Sequence, residues 1–168
     1  IETASLYEHC LRAIRRGSTA GAHGLPLMGT GDWNDGMNRI GAKGIGESVW
    51  MGWFLCAVLE SFIPICEIMD DSESAATFRR QLENLKRALE THGWDGAWYL
   101  RAYHDDGSLV GSSQNVECRI DSIAQSWAAL SGAGAPERVR TALESVVRHL
   151  VKWEEELILL FTPPFDRT

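Results

Sequence analysis

From Val49 to Cys66 the chain reads VWMGWFLCAVLESFIPIC, with Glu60 as its single charged residue. Such a run has two natural fates. It can cross a bilayer, which takes about 20 apolar residues, or it can be a helix buried on nearly every side. Glu60 and Ser61 interrupt the run and Pro64 is expected to close it, which favours the buried helix, extended here from Glu47 to about residue 69. The next segment suggests what packs on it. Between Ser74 and His92, the residues Phe78, Leu82, Leu85 and Leu89 fall on one face of a 3.6-residue period. Asp70 to Glu73 offer N-cap side chains, and Gly93 stands where a helix ends. A helix apolar all round beside one apolar on a single face is the pattern of inner and outer helices in a toroid of helix pairs.

The remaining segments fit that class. Thr3 to Arg16 reads as a helix stopped by Gly17. Residues 18–46 are a glycine-rich loop. The period changes at Trp98, where Trp98, Leu100 and Ala102 alternate with Tyr99, Arg101 and Tyr103 before the turn Asp105-Asp106-Gly107, a short β-hairpin. Ile120 to Leu130 returns to helix, broken by Gly132 and Gly134. Pro136 sits at a first-turn position, and Glu137 to Trp153 carries Val139, Leu143, Val146 and Leu150 on one face. Leu157 to Phe161 reads as one short strand stopped by Pro163 and Pro164. The expected class is all-α, with long loops and one hairpin.

Composition excludes more than it selects. The chain has 168 residues, 45% hydrophobic, a net charge of −7 and a pI near 5.2. This rules out general disorder and argues against nucleic acid or an anionic membrane surface as partner. Cys10, Cys56, Cys66 and Cys118 show no CxxC pair and no zinc-finger spacing, so they read as reduced thiols in a reducing compartment. No metal ligand set is expected. Ile1 and Thr168 read as the ends of a piece taken from a longer protein.

The stretch GTGDWNDGMNRIG, Gly29 to Gly41, is unsuited to a helix or an ordinary strand. Asp32 and Asp35 are three residues apart. Neighbouring carboxylates push their pKa values apart, so that one can hold a proton near neutrality and act as an acid. Trp33 offers a flat face to the C–H side of a sugar, and Asn34, Asn38 and Arg39 offer bonds to hydroxyl groups. Two readings stay open on these residues alone: a sugar site with an acid, or a structural plug of loop-forming residues. Calcium is disfavoured because Gly36 occupies a liganding place of the EF-hand pattern. A nucleophilic triad finds no support in the spacing of Cys118, His23, His92, His104 and His149.

The same stretch, followed by GIGESVWMGWFL, resembles the signature of glycoside hydrolase family 94, the inverting β-glucoside phosphorylases. The stretches WDGAWYLRAYHDDGSLVGS, ECRIDSIAQSWAALSGAG and LILLFTPPFDRT are most similar to one branch of it. That branch is the phosphorylase-like region of cyclic β-1,2-glucan synthases with the 1,2-β-oligoglucan phosphorylases. The resemblance covers nearly the whole chain. It implies that residues 1–168 are part of a single (α/α)6 barrel, truncated at both ends.

It also implies that Asp35 is the general acid, that Trp33 lines the glucose site, and that inorganic phosphate is the co-substrate of a β-glucan oligosaccharide, with no cofactor. Asp32, Asn34, Arg39, Glu47, Gln125 and Trp127 are the further substrate-binding candidates. Glu47 is expected at a helix start, where the helix dipole favours a carboxylate. The family's phosphate-binding residues find no match in these residues, so the isolated chain is expected to be inactive, to rely on the remainder of its parent chain, and to self-associate through exposed barrel faces. The parent is expected on the cytoplasmic side, anchored in an inner membrane. The alternatives are a carbohydrate-binding module without chemistry, and an inverting hydrolase using Glu47 or Glu117 to activate water.

Overall fold

In the computed structural model the described residues are 3–31, 33 and 35–166, with the backbone alone at position 35. They form five α-helices and seven two-residue strands. The class is therefore helix-rich with three small antiparallel sheets, more β-structure than the hairpin and the one short strand expected.

Helix α1 is Leu6–Gly17, capped by Ser5, whose Oγ accepts from the Glu8 N–H at 3.2 Å. Helix α2, Val49–Ile68, starts at Ser48, whose hydroxyl accepts from the Met51 N–H. Pro64 lies inside α2, contrary to the expectation that it would close the apolar run. Proline costs a helix one hydrogen bond, but Ile63 and Cys66 beside it are buried and hold the helix through that turn.

Helix α3, Ser72–His92, lies along α2 with Phe78, Leu82, Leu85 and Leu89 all buried. Gly52 makes the contact close: a Cβ there would stand 2.8 Å from Leu89 Cδ2. Half of the apolar window of α2 is buried, while Phe54, Ile65 and Ile68 stay exposed. By length and composition α2 could also span a membrane. Within this chain it is the central core helix, covered by α3 and by helix α4, Ser122–Leu130.

The other segments wrap this pair. Strands β1, Glu47–Ser48, β2, Ala102–Tyr103, and β3, Leu109–Val110, form one antiparallel sheet in the order β1-β2-β3. The expected hairpin is thus present and gains β1 as a third strand. Strand β4, Ile120–Asp121, precedes α4, so that helix begins two residues later than its apolar pattern suggested. Asp121 caps it, Oδ1 accepting from the Ile123 N–H at 2.8 Å. Helix α5, Pro136–His149, has proline in its first turn. It stops short of Trp153 because Val151–Lys152 is strand β5, paired with β6, Leu157–Ile158. Strand β7, Phe161–Thr162, pairs instead with β4.

Trp53, wholly buried on α2, meets Tyr99 edge to face at 5.0 Å. The Tyr99 hydroxyl donates to Glu90 at 2.9 Å, and Glu90 also accepts from Arg138 and from the Ala135 N–H, tying α3 to the start of α5. All four cysteines are free, Cys56, Cys66 and Cys118 buried. Burial pushes the thiols of Cys56 and Cys118 up to about 12.

The start of α3 carries a pH dependence. Asp71 accepts from the Ser74 N–H at 3.0 Å and from the Tyr7 hydroxyl at 2.8 Å. The Ser74 bonds, joined by that of Tyr7, hold its carboxyl below the usual carboxylate range. A depressed folded-state value contributes stability above the ordinary carboxylate pKa and loses it as pH falls through the lowered one. Denaturant unfolding followed from neutral pH to below about pH 4 should therefore show a shallower acid decline for Asp71→Asn than for the parent sequence.

Candidate functional site

Asp35 opens a 3-10 turn, Asp35–Met37, on the long loop between α1 and β1. Two apolar side chains root this turn. Met37 and Ile40 are buried with Met28, Ala102, Val110 and Cys118, and Phe161 packs against them. A glycine-rich loop pays heavily in chain entropy for a fixed shape. Here a small second core beneath the loop, distinct from the main one, offsets that cost.

The neck of the loop is closed by backbone. The Met28 N–H donates to the Gly46 carbonyl at 2.9 Å. Gly41 lies where a Cβ would come within 3.0 Å of the Gly29 backbone, and Gly46 where one would come within 2.8 Å of the Ile40 carbonyl oxygen. Both positions require glycine for the strands of the neck to meet.

Two carboxylates from outside the motif brace it. Glu47, 2% exposed, accepts from the backbone N–H groups of His23, at 3.1 Å, and Leu25, at 3.0 Å, and its Oε2 is 2.5 Å from His23 Nδ1. The His23 ring stacks on Tyr103 with centroids 4.0 Å apart. Glu47 therefore belongs to β1, one residue before the cap of α2, and its partners are loop amides and an imidazole rather than the helix terminus. Asp105, in the hairpin turn, accepts from Lys43, Ile45 and Gly46 N–H groups at 2.8–3.0 Å. These bonds, with Lys43 first, hold its carboxyl below the usual range.

Beside the 3-10 turn lies a cavity of about 290 Å³, lined by Gly36, Met37, Asn38, Arg39, Ile40, His104 and Phe165. Arg39 is exposed along its wall. Trp33 is 55% exposed. Asp32, Asn34 and the side chain of Asp35 lie outside the described residues. The cavity can offer a guanidinium, an amide, an imidazole and an aromatic face to a polar ligand.

Gln125 and Trp127 are placed elsewhere, on α4. Gln125 is fully buried: its Oε1 accepts from the Tyr99 N–H at 2.8 Å, and its Nε2 donates to the carbonyls of Tyr99 and Asp121 at 2.7 and 2.9 Å. In this chain it clamps α4 to the hairpin. Trp127 meets Phe54 edge to face at 5.0 Å and lines a shallow groove along α2 with Ile65.

Arg101 is grouped by alternation with Tyr99 and Tyr103 on one side of the hairpin and given no role. It is wholly buried, its Nε 3.3 Å from Asp121 Oδ2, with its Nη1 near Ser48 Oγ and its guanidinium 5.9 Å from the Trp50 ring centroid. The only hint in sequence was Asp121-Ser122 before an apolar helix, a capping pattern that marks Asp121. Asp105 was read as a turn residue alone.

The model of the glycosyl hydrolase 94 superfamily, catalytic domain, matches residues 1–168. Cyclic beta-(1,2)-glucan synthase NdvB of Rhizobium meliloti (strain 1021) is 51% identical over 168 residues, 99% of this chain and 6% of that protein. Two proteins of Paenibacillus borealis are also similar. A 3-O-beta-D-glucopyranosyl-beta-D-glucuronide phosphorylase is 38% identical over 86% of this chain and 19% of its own. A solabiose phosphorylase is 39% identical over 84% of this chain and 19% of its own. The chain thus spans from 6% to 19% of the length of these relatives.

Proposed function

The chain belongs to the glycosyl hydrolase 94 superfamily, and from that premise we propose that it is the acid-bearing segment of a larger inverting phosphorylase domain acting on β-1,2-glucan. Residues 1–168 would then be one part of a single (α/α)6 barrel, with α2 and α4 as inner helices and α3 and α5 as outer ones. The parent is a cyclic β-1,2-glucan synthase-like protein, acting on the cytoplasmic side and anchored in the inner membrane. The observation that carries the reading is the match over the full chain, which includes the stretch Asp32 to Asp35, together with 51% identity to the R. meliloti glucan synthase.

In this reading Asp35 donates its proton to the glycosidic oxygen. Inorganic phosphate attacks the anomeric carbon from the opposite face, the C–O bond to the departing sugar breaks, and α-glucose 1-phosphate leaves with inverted configuration. Phosphate stands where an inverting hydrolase places water and its base. An anionic nucleophile needs no protein carboxylate to activate it. Glu47, the candidate base for a water reaction, has its carboxylate engaged by His23 and Leu25, which weighs against the hydrolase alternative. Trp33 forms a wall of the glucose site. Asp32, Asn34 and Arg39 bond sugar hydroxyls or shape the loop, Glu47 supports the loop from behind, and Gln125 and Trp127 lie on α4, where Gln125 holds that helix to the hairpin. No cofactor takes part. The phosphate pocket comes from the remainder of the parent chain, so the isolated segment is inactive, and its uncovered helix faces favour self-association.

The test is phosphorus NMR of the parent protein incubated with a β-1,2-gluco-oligosaccharide and inorganic phosphate. The first-formed product should be α-glucose 1-phosphate, with none from the isolated segment. Free glucose formed equally well without phosphate, or a β-phosphate as first product, would overturn the reading.

A further inference from the structure

The loop that bears Asp35 has one three-residue turn of regular structure among its described residues, so its shape is imposed from elsewhere. Asp105 imposes it at the neck. Its Oδ2 accepts from Lys43 N–H at 2.8 Å, its Oδ1 from Ile45 and Gly46 N–H at 3.0 and 2.9 Å, and its own N–H donates to the Ile40 carbonyl at 3.0 Å. Four bonds therefore run from one hairpin residue to residues 40–46. Ile40 in turn is buried beside Met37, the last residue of the turn that Asp35 opens. A shift at Ile40 passes through that small core to the turn.

The hairpin does not need this carboxylate for itself. Asp106 makes the turn, accepting from Ser108 N–H at 2.9 Å and Ser108 Oγ at 2.6 Å, while the backbones of His104 and Ser108 close it at 2.8 Å. Asp105 spends its oxygens on a segment some sixty residues away in sequence. Those bonds to N–H groups also favour its ionised form, as the depressed pKa reflects. We infer that Asp105 is a positioning residue for the general acid: it fixes the neck of the loop so that the Asp35 carboxyl reaches the departing oxygen. The inference rests on the reading of Asp35 as the acid.

The test compares two substrates in the parent protein. One is a β-1,2-gluco-oligosaccharide, whose departing sugar requires a proton. The other is 2,4-dinitrophenyl β-glucoside, whose leaving group departs unprotonated. Misplacing a catalytic group by about 1 Å costs roughly 10²-fold, so Asp105→Ala should lower kcat for phosphorolysis of the oligosaccharide by about that factor, with KM changed by less than about threefold. On the dinitrophenyl substrate Asp105→Ala should stay within about threefold of the parent, tracking Asp35→Asn. Asp105→Asn retains the acceptor for Ile45 and Gly46 and should fall between, which provides the comparison if the alanine variant is poorly folded. Equal losses of Asp105→Asn and Asp105→Ala on both substrates, or no loss on either, would overturn the inference while leaving Asp35 in its role. Failure of the dinitrophenyl substrate to restore Asp35→Asn would remove the acid reading itself, and this inference with it.

Discussion

Asp121→Ala in the protein that carries this segment should lower amide protection in α4 and β4 by roughly 10²–10⁴-fold, from a loss of about 3–5 kcal/mol. Asp121 and Arg101 are both 1% exposed in their side chains, with Nε and Oδ2 3.3 Å apart. Removing one partner takes a charged contact away from a buried group, and that penalty exceeds what the pair itself contributes. Asp121 has a second task, since Oδ1 caps α4 through the Ile123 N–H. Asp121→Asn separates the two: it can keep the cap while losing the charge. The joint replacement Arg101→Met with Asp121→Leu should recover much of the loss, because an apolar pair of similar volume carries no desolvation penalty. Hydrogen exchange resolved by segment checks all three variants. Protection in α4 unchanged by Asp121→Ala would mean that the pair contributes nothing to the docking of that helix.

Much of this arrangement was legible in the sequence because local periodicity fixes which face a helix buries. Phe78, Leu82, Leu85 and Leu89 are all buried, as their spacing required. Gly93 caps α3, Pro136 opens α5, and the turn of the hairpin falls at Gly107, whose φ of 83° suits glycine. The failures lie where a non-local partner outweighs a local signal. Leu150 keeps the helical spacing of α5, yet Val151 and Lys152 leave the helix to pair with Ile158 and Leu157. The run LILLF reads as one strand, but Leu159 bonds back to Leu150 while Leu160 receives Ser122, so the run divides between two partners. Pro64 does not stop α2, because Phe62, Ile63 and Cys66 around it are buried and hold the helix through that turn while Pro64 itself lies on the exposed face. Arg101 shows the same limit: alternation gives two faces, and both are covered here.

At the site, composition revealed that Gly29 to Gly41 is a loop carrying carboxylates, amides and a tryptophan. It could not reveal the braces. Glu47 reaches His23 across twenty-four positions and Asp105 reaches Lys43 across sixty-two. No periodic pattern encodes such contacts, and Asp105 within Asp-Asp-Gly carries a complete local explanation as a turn residue.

The claim on which the functional account depends is that the carboxyl at position 35 supplies the proton to the departing sugar. General acid catalysis contributes about 10²–10⁴-fold, or roughly 3–5 kcal/mol of barrier. Asparagine has the shape of aspartate and keeps an amide that can bond a sugar oxygen, but it has no acidic proton to transfer. The loop core of Met28, Met37 and Ile40 and the bonds of Asp105 to Lys43, Ile45 and Gly46 are made by other residues. The decisive measurement is the phosphate-dependent rate of glucose 1-phosphate release from a β-1,2-gluco-oligosaccharide by the parent protein carrying Asp35→Asn. A fall of roughly 10²–10⁴-fold in kcat with little change in KM is the predicted result, and a rate equal to that of the unsubstituted protein would contradict the account.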